Sequence, residues 1–184
     1  MKIVFFTFYY PPDLCAGSFR AIALAQALSK RMKNDDELHI ITTHPNRYEN
    51  HRVKASDIEV HGNITIHRIS VPSHKSGMFS QARTFVTYAL ASYKLCNKLN
   101  PDFLIGTTSR LMTGVLTGLS ARKLGCKYFI DLRDIFSETI SDIFSQKNKL
   151  LGFISKKTFS LLERWLFNKA IGVNVVSEGF PEYF

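Results

Sequence analysis

Short runs of β-branched and aromatic residues alternate with longer amphipathic segments along most of the chain. The strand-like runs occupy residues 2–8, 37–43, 102–106, 127–132 and 170–176. Alternation of this kind is typical of a parallel sheet with helices packed on its faces. The sequence therefore predicts an α/β fold with about five or six strands around one core.

Four of the segments between these strands have helical periodicity. Helices are predicted at about 18–33, 76–100, 110–124 and 149–169. Gly125 is placed to end the third of them, as glycine commonly does. Residues 58–69 differ, because two short strand-like pieces flank Gly62 and Asn63, a pair typical of a tight hairpin turn. The polar stretch 44–57 has no periodicity and is predicted to be a loop.

Composition excludes several classes of protein. The chain has 184 residues, 45% of them hydrophobic and 21% charged, which fits one ordinary globular domain. Three cysteines without a CxxC pair argue against a disulfide framework, and no histidine spacing predicts a metal site. No apolar run is long enough for a membrane span. Pro11 and Pro12 interrupt the apolar start of the chain, which therefore predicts a first strand of a cytoplasmic protein rather than a signal peptide.

The net charge of +9 indicates an anionic partner, and much of it lies in 147–169. One anion, Glu163, accompanies six cations there: Lys147, Lys149, Lys156, Lys157, Arg164 and Lys169. Phe153 and Phe167 are expected to lean outward beside them. Such a helix either packs on the sheet with its lysines in water or docks on an anionic membrane. Nucleic acid is not predicted as a partner, because no nucleic-acid-binding motif is present.

Ligands of open α/β sheets bind beyond the carboxyl ends of the strands, which directs attention to the loop at 9–18. There Ala16, Gly17 and Ser18 lead into a predicted helix. Exposed N–H groups and the helix dipole make such a start an anion site, and Gly17 would admit a phosphate or sugar close to the backbone. The alternative is a tight turn in which Ser18 is the N-cap. Neither a GxGxxG motif nor a Walker A loop is present.

The loop after the 127–132 strand carries most of the candidate chemistry. Asp131, Arg133, Asp134 and Glu138 lie within eight residues. A carboxylate there could act as a base or orient a sugar hydroxyl, and an arginine could hold a phosphate with two donors. The alternative is that these charges neutralise one another. Hydroxyls that suit a sugar, or cap the next helix, follow the 102–106 strand: Thr107, Thr108 and Ser109.

Four segments in this order resemble the amino-terminal half of GT-B glycosyltransferases. They are FTFYYPPDLCAGSFRAIALAQAL, PDFLIGTTSRLMTGVLTGLSARKLG, YFIDLRDIFSET and ERWLFNKAIGVNVVSEGFPEYF. The similarity is greatest to the retaining family four, in the branch that builds bacterial capsule, O-antigen and exopolysaccharide. It covers the whole chain and is weakest at 44–100.

The resemblance implies roles for particular residues. Gly17, with Ser18, would lie against the donor diphosphate, and Arg20 matches an arginine of the following helix. The pair Arg133 and Asp134 matches the loop that faces the reacting sugar. It implies a catalytic role for Asp134 in orienting the acceptor, with Asp131 as the alternative, and acceptor contacts from Arg133, Thr107, Thr108 and Glu138. The chain departs from the family pattern at Cys15, Phe136 and Ser137.

The resemblance also implies the setting of the chain. Residues 1–184 are expected to form a single Rossmann-like acceptor-side domain, without the donor-binding domain and inactive alone. Expected partners are a nucleotide-sugar donor held by that second domain, a lipid-linked saccharide acceptor and the anionic inner face of the plasma membrane. No cofactor or metal is expected. Two alternatives stay open: half of a GT-B sugar-nucleotide epimerase, and a non-catalytic module that docks membranes or partners through 149–169.

Overall fold

The computed structural model describes residues 1–46, 53–72, 78–108, 111–133 and 149–176. The strands are β1 (Lys2–Phe6), β2 (Glu37–Thr43), β3 (Ile58–His61), β4 (Ile64–Ile69), β5 (Phe103–Thr107), β6 (Lys127–Leu132) and β7 (Gly172–Val175). The helices are α1 (Ala16–Ser29), α2 (Met78–Leu99), α3 (Leu111–Leu124) and α4 (Lys149–Lys169). The predicted α/β alternation is confirmed.

The strands form one seven-stranded sheet in the order β3-β4-β2-β1-β5-β6-β7. Every pairing is parallel except that of β3 with β4, which form the predicted hairpin. Gly62 turns it with a φ of 60°, a conformation that glycine adopts without strain. β1 pairs with β2 on one side and β5 on the other, so the direction of winding reverses between β1 and β5. Open sheets bind ligands at such a reversal.

β1 is buried on both sides, which explains its continuous apolar run. Ile3 and Phe5 belong to a core cluster with Ala21 and Ala25 of α1. Val4 and Phe6 belong to a second cluster that includes side chains of α2, α3 and α4. The apolar face of α2 lies in or against that second cluster, through Phe85, Tyr88, Ala89, Leu95, Cys96 and Leu99.

Glycines let α3 approach its neighbours closely. A Cβ added at Gly106 of β5 would overlap Thr117 Oγ1 of α3. A Cβ at Gly114 would lie 2.8 Å from Leu166 Cδ2 of α4, and one at Gly118 would lie 3.0 Å from the indole of Trp165. These contacts hold α3 and α4 on the same face of the sheet. No helix in the described ranges is long and apolar enough to cross a bilayer.

Candidate functional site

The start of α1 lies beside the reversal between β1 and β5, at the carboxyl edge of the sheet. Its N-cap residue is Cys15, whose backbone is extended and whose side chain makes no capping hydrogen bond. The alternative reading of Ser18 as N-cap is therefore wrong: Ser18 lies inside the first turn, because the helix already begins at Ala16. The first turn has no acidic residue, so its N–H groups and helix dipole are not neutralised from within the helix.

Both predicted anion-site residues of this turn are buried. Gly17 is buried, and Ser18 is fully buried. Among the described residues, the Ser18 Oγ atom has no hydrogen-bond partner. The turn thus combines the N–H groups of a helix start with a hydroxyl that no described residue satisfies.

An ion pair connects this turn to the far side of the reversal. Arg20 donates from Nε to Asp131 Oδ2 at 2.8 Å and from Nη2 to Oδ1 at 2.6 Å. The hydrogen bond to Asp131 is the main reason why the pKa of Arg20 is raised. Asn174 of β7 donates to the same Oδ1 at 2.8 Å. The three residues join α1, β6 and β7 across the edge of the sheet.

Asp131 is only 1% exposed and accepts three hydrogen bonds from side chains. A bidentate pair of this kind fixes both carboxylate oxygens and stabilises their negative charge. Both oxygens of Asp131 already accept hydrogen bonds, which hold Arg20 and Asn174 in place. The catalytic role that the resemblance implies for Asp131 stays a prediction.

The predicted hydroxyls after β5 are buried as well. Thr107 and Thr108 are 2% and 0% exposed. The Thr108 N–H donates to the carbonyl of Asp131 at 3.0 Å, and its Oγ1 accepts the Arg133 N–H at 3.0 Å. These hydrogen bonds stabilise the carboxyl ends of β5 and β6. Contact between the two threonines and an acceptor would require this edge of the sheet to open. Arg133 is half-buried, and its Nε is buried without a partner among the described residues.

Arg68 of β4 is a site residue that sequence reasoning missed. It is 6% exposed and donates from Nη2 to the Pro11 carbonyl at 2.9 Å and to Glu59 at 3.2 Å. It shares a sheet face with Ile64 and Ile66. The sequence did contain a signal for it, since Arg68 follows Ile64 and Ile66 at alternate positions of one strand. A buried cation needs polar partners, so an arginine in such a position indicates a polar site.

A cavity of about 370 Å³ opens beside Arg68, between α1 and the β3–β4 hairpin. Its polar groups come from Tyr10, Gln26, Glu59, His61 and Arg68. Burial raises the pKa of Tyr10 to about 12, so its phenol stays neutral and can both donate and accept. Donors and acceptors mixed in this way suit a ligand rich in hydroxyl groups.

The loop after β1 is tied to the end of β2. Thr43 Oγ1 donates to the Phe8 carbonyl at 2.7 Å. Asp13, which is 5% exposed, accepts the Asn46 N–H at 3.1 Å. The segment that precedes α1 is thereby held close to the cavity. Candidates that lie outside the described residues are Ser109, Asp134, Phe136, Ser137 and Glu138.

The predicted membrane-facing residues of α4 divide into two groups. Phe153 is 68% exposed, and the three predicted cations Lys156, Lys157 and Arg164 are exposed. Phe167 does not lean outward as predicted: it is half-buried and packs against the core, because it flanks the face that carries the buried Leu166. Two further apolar residues of this helix are also exposed, Ile154 at 51% and Leu161 at 59%. In the described ranges, no group of three or more histidine, cysteine or acidic residues is arranged to hold a metal ion.

No protein-family model and no curated protein sequence matches the chain. Solved structures do match its fold. One is sucrose-phosphate synthase from Thermosynechococcus elongatus, with a TM-score of 0.70, 11% identity and 100% of this chain covered. Another is a UGT transferase from Siraitia grosvenorii in complex with UDP, with a TM-score of 0.54, 14% identity and 95% covered. The chain spans 44% of the length of each.

Both matching structures are GT-B glycosyltransferases. At these identities the likeness concerns the fold alone. The chain has the Rossmann-like α/β architecture found within the GT-B fold, as the resemblance in its sequence predicted.

Proposed function

We propose that this chain is the acceptor-binding, amino-terminal half of a glycosyltransferase that moves a sugar from a nucleotide-sugar donor to a saccharide. The observation that carries the proposal is the α1 amino terminus. It has no side-chain cap and no acidic residue, and it lies at the strand reversal of a GT-B-type sheet. Gly17 and Ser18, which are buried, would meet the donor diphosphate there when the edge opens, and their N–H groups would stabilise its growing negative charge.

The donor itself is held, in this proposal, by a second domain, as the coverage of less than half of each matching structure supports. Asp134 orients the acceptor, while Arg133 and Glu138 bind it. Asp131 takes the positioning role that its three hydrogen bonds support. The further proposals are retention of anomeric configuration, a lipid-linked acceptor and a place in bacterial surface polysaccharide synthesis.

Acceptor binding can be tested on the chain as it stands. We expect it to bind a subset of saccharides on a glycan array, or a short-chain prenyl diphosphate sugar in calorimetry. Gln26→Ala, an exposed position that lines the cavity beside Arg68, should weaken that binding about 10-fold, the cost of one well-placed polar contact. Gln81→Ala makes the same change at an exposed position of α2 and serves as the matched control.

Two results would overturn parts of this proposal. Absence of any saccharide binding would remove the acceptor site, and equal loss in Gln26→Ala and Gln81→Ala would exclude the cavity beside Arg68 from it. Transfer of sugar from a nucleotide donor by the 184-residue chain alone would show that no second domain is needed.

A membrane-docking module is the second candidate, favoured by the exposed apolar residues Phe153, Ile154 and Leu161 close in sequence to the cations of α4. Each Lys or Arg near an acidic bilayer contributes about 1 kcal/mol. The triple change of Lys156, Lys157 and Arg164 to Glu should abolish flotation with phosphatidylserine vesicles. The matched control changes Lys94, Lys98 and Lys123, exposed cations of α2 and α3. Equal loss in both variants would mean a general charge effect and no docking helix.

A further inference from the structure

A second cavity, of about 530 Å³, lies at the opposite edge of the sheet, between the carboxyl-terminal halves of α3 and α4. Lys127, the first residue of β6, lies on its rim, whereas Asp131 is near the other end of that strand. At about 3.3 Å per residue the two positions are about 13 Å apart. The cavity is therefore separate from the site at the carboxyl edge.

One wall of the cavity is aromatic. Trp165 of α4 lines it and is half-buried. Gly118 lies against the indole of Trp165. A Cβ added at Gly118 would lie 3.0 Å from the ring, so the ring has room there because residue 118 is a glycine. Tyr128 adds a second ring, but its hydroxyl donates to the Leu166 carbonyl at 2.5 Å and is not free to bind a ligand.

The remaining lining is cationic. Arg122, Lys127 and Lys169 line the cavity, all three are exposed, and no carboxylate lines it. In the part of the chain that the structure describes, none of the three forms an ion pair. Asp102 lies within electrostatic reach of Cys126 on the rim, and its carboxylate already accepts the Lys2 N–H at 2.7 Å.

Two helix ends oppose this positive charge without cancelling it. α3 and α4 both finish at the cavity, and Arg122 and Lys169 belong to their last turns. Each helix end carries about half a negative charge, against three full positive charges on the side chains. The cations that line the cavity therefore exceed the two dipoles by about two charges, and the Asp102 carboxylate beside the rim reduces that excess to about one.

We propose that this cavity binds an organic phosphate, with the phosphate between Arg122, Lys127 and Lys169 and an apolar or ring-shaped body against Trp165. Its volume lies in the range of small-ligand sites. Arginine can hold a phosphate through two parallel hydrogen bonds, and an indole offers an apolar surface for a planar group. Nucleoside phosphates and the headgroups of anionic lipids share this chemistry.

Trp165 reports on its own cavity, since it is the single tryptophan of the sequence. The 184-residue chain is titrated with AMP, UDP and inorganic phosphate, and separately with phosphatidic acid vesicles, while tryptophan fluorescence is recorded. A saturable change with the nucleotides, at least 10-fold tighter than with inorganic phosphate, identifies a soluble ligand. A change with vesicles alone identifies a lipid phosphate. No saturable change with either would overturn the proposal.

Variants locate the response. Arg122→Gln combined with Lys127→Gln should weaken binding at least 10-fold, as expected for lost charge-assisted hydrogen bonds. Lys123→Gln is the matched control, exposed in the same last turn but outside the cavity lining, and should stay within 2-fold. These exposed changes leave the fold intact, which thermal melting verifies. Equal weakening in the double variant and the control would overturn the site.

A phosphate bound at the α1 amino terminus would be unaffected by the Arg122 and Lys127 changes. The experiment therefore separates this cavity from the proposed donor site, and either proposal can fail without the other.

Discussion

The two edges of the sheet use similar charged residues in opposite ways. At the carboxyl edge, Arg20 is locked in a bidentate pair with the buried Asp131. At the amino edge, Arg122, Lys127 and Lys169 are exposed around a cavity without a carboxylate. What the first edge offers a ligand is therefore mainly backbone N–H groups, whereas the second offers side chains. Pairing and burial distinguish the two edges, because the charges of Arg20 and Asp131 cancel whereas no carboxylate lines the cavity of the three cations.

The largest expected effect comes from breaking the locked pair. Arg20→Gln leaves a carboxylate that is 1% exposed without its cation and should cost about 3 kcal/mol in urea unfolding. Asp131→Asn should cost less, about 1.5 kcal/mol, because the Arg20 side chain keeps 35% of its surface in water. Arg31→Gln, an exposed arginine just beyond α1, should change stability by under about 0.5 kcal/mol. Equal losses of unfolding free energy in Arg20→Gln and Asp131→Asn would show that the difference in burial between the two side chains does not determine the loss.

The second largest effect is the loss of stability when helix packing is disturbed, which we compare near the two edges of the sheet. Gly106→Ala forces a methyl group into Thr117 and should cost about 2 kcal/mol. Gly118→Ala meets the end of the Trp165 ring at 3.0 Å and Leu166 Cδ1 at 3.1 Å, and should cost less, about 1 kcal/mol, because both neighbours are the ends of side chains. Thermal or urea unfolding measures both. Thr117→Ala should recover part of the loss in Gly106→Ala, and strict additivity would contradict the overlap.

The smallest expected effect is a change of stability with pH, caused by a histidine that lies away from both edges. Nε2 of His67 in β4 lies 3.0 Å from Nδ1 of His39 in β2. Burial, followed by the charge of His39, lowers the pKa of His67. The unfolded chain therefore binds this proton first as the pH falls through about 6.5, and stability decreases. Because His67 is only half-buried, the loss between pH 7.5 and 5.5 should stay well under 1 kcal/mol. His67→Gln should flatten that part of the unfolding profile, and an unchanged slope would exclude His67 as its cause.

Elements with strong periodicity were predictable from sequence, and long-range pairs were not. The strands at 37–43 and 127–132, the hairpin at Gly62 and the helix at 149–169 have the predicted positions, since their patterns are local. The ion pair of Arg20 with Asp131 joins residues 111 positions apart and leaves no periodic trace. Phe167 lies on the flank of its helix, where an ideal helical wheel assigns the face poorly.

The start of α1 shows how tertiary contacts override local preference. Serine is a preferred N-cap and cysteine is not, so the sequence favoured Ser18 over Cys15. The preceding loop is anchored by Asp13, whose N–H donates to the Tyr10 carbonyl at 3.1 Å and whose carboxylate accepts from Asn46. That anchoring sets where the helix begins, and it leaves the helix without a side-chain cap at the edge where a ligand is proposed to bind.

The central place of β1 in the sheet also has a consequence for synthesis on the ribosome. Ile3 emerges from the ribosome about 100 residues before its partner Phe103 in β5. At a synthesis rate of about 5 to 20 residues per second, one edge of the apolar strand β1 stays unpaired for roughly 5 to 20 s before β5 is made. Until then, pairing with β2 can protect only one side of it. We therefore expect the nascent chain to be a client of ribosome-associated chaperones, with the interval before β5 its most aggregation-prone stage.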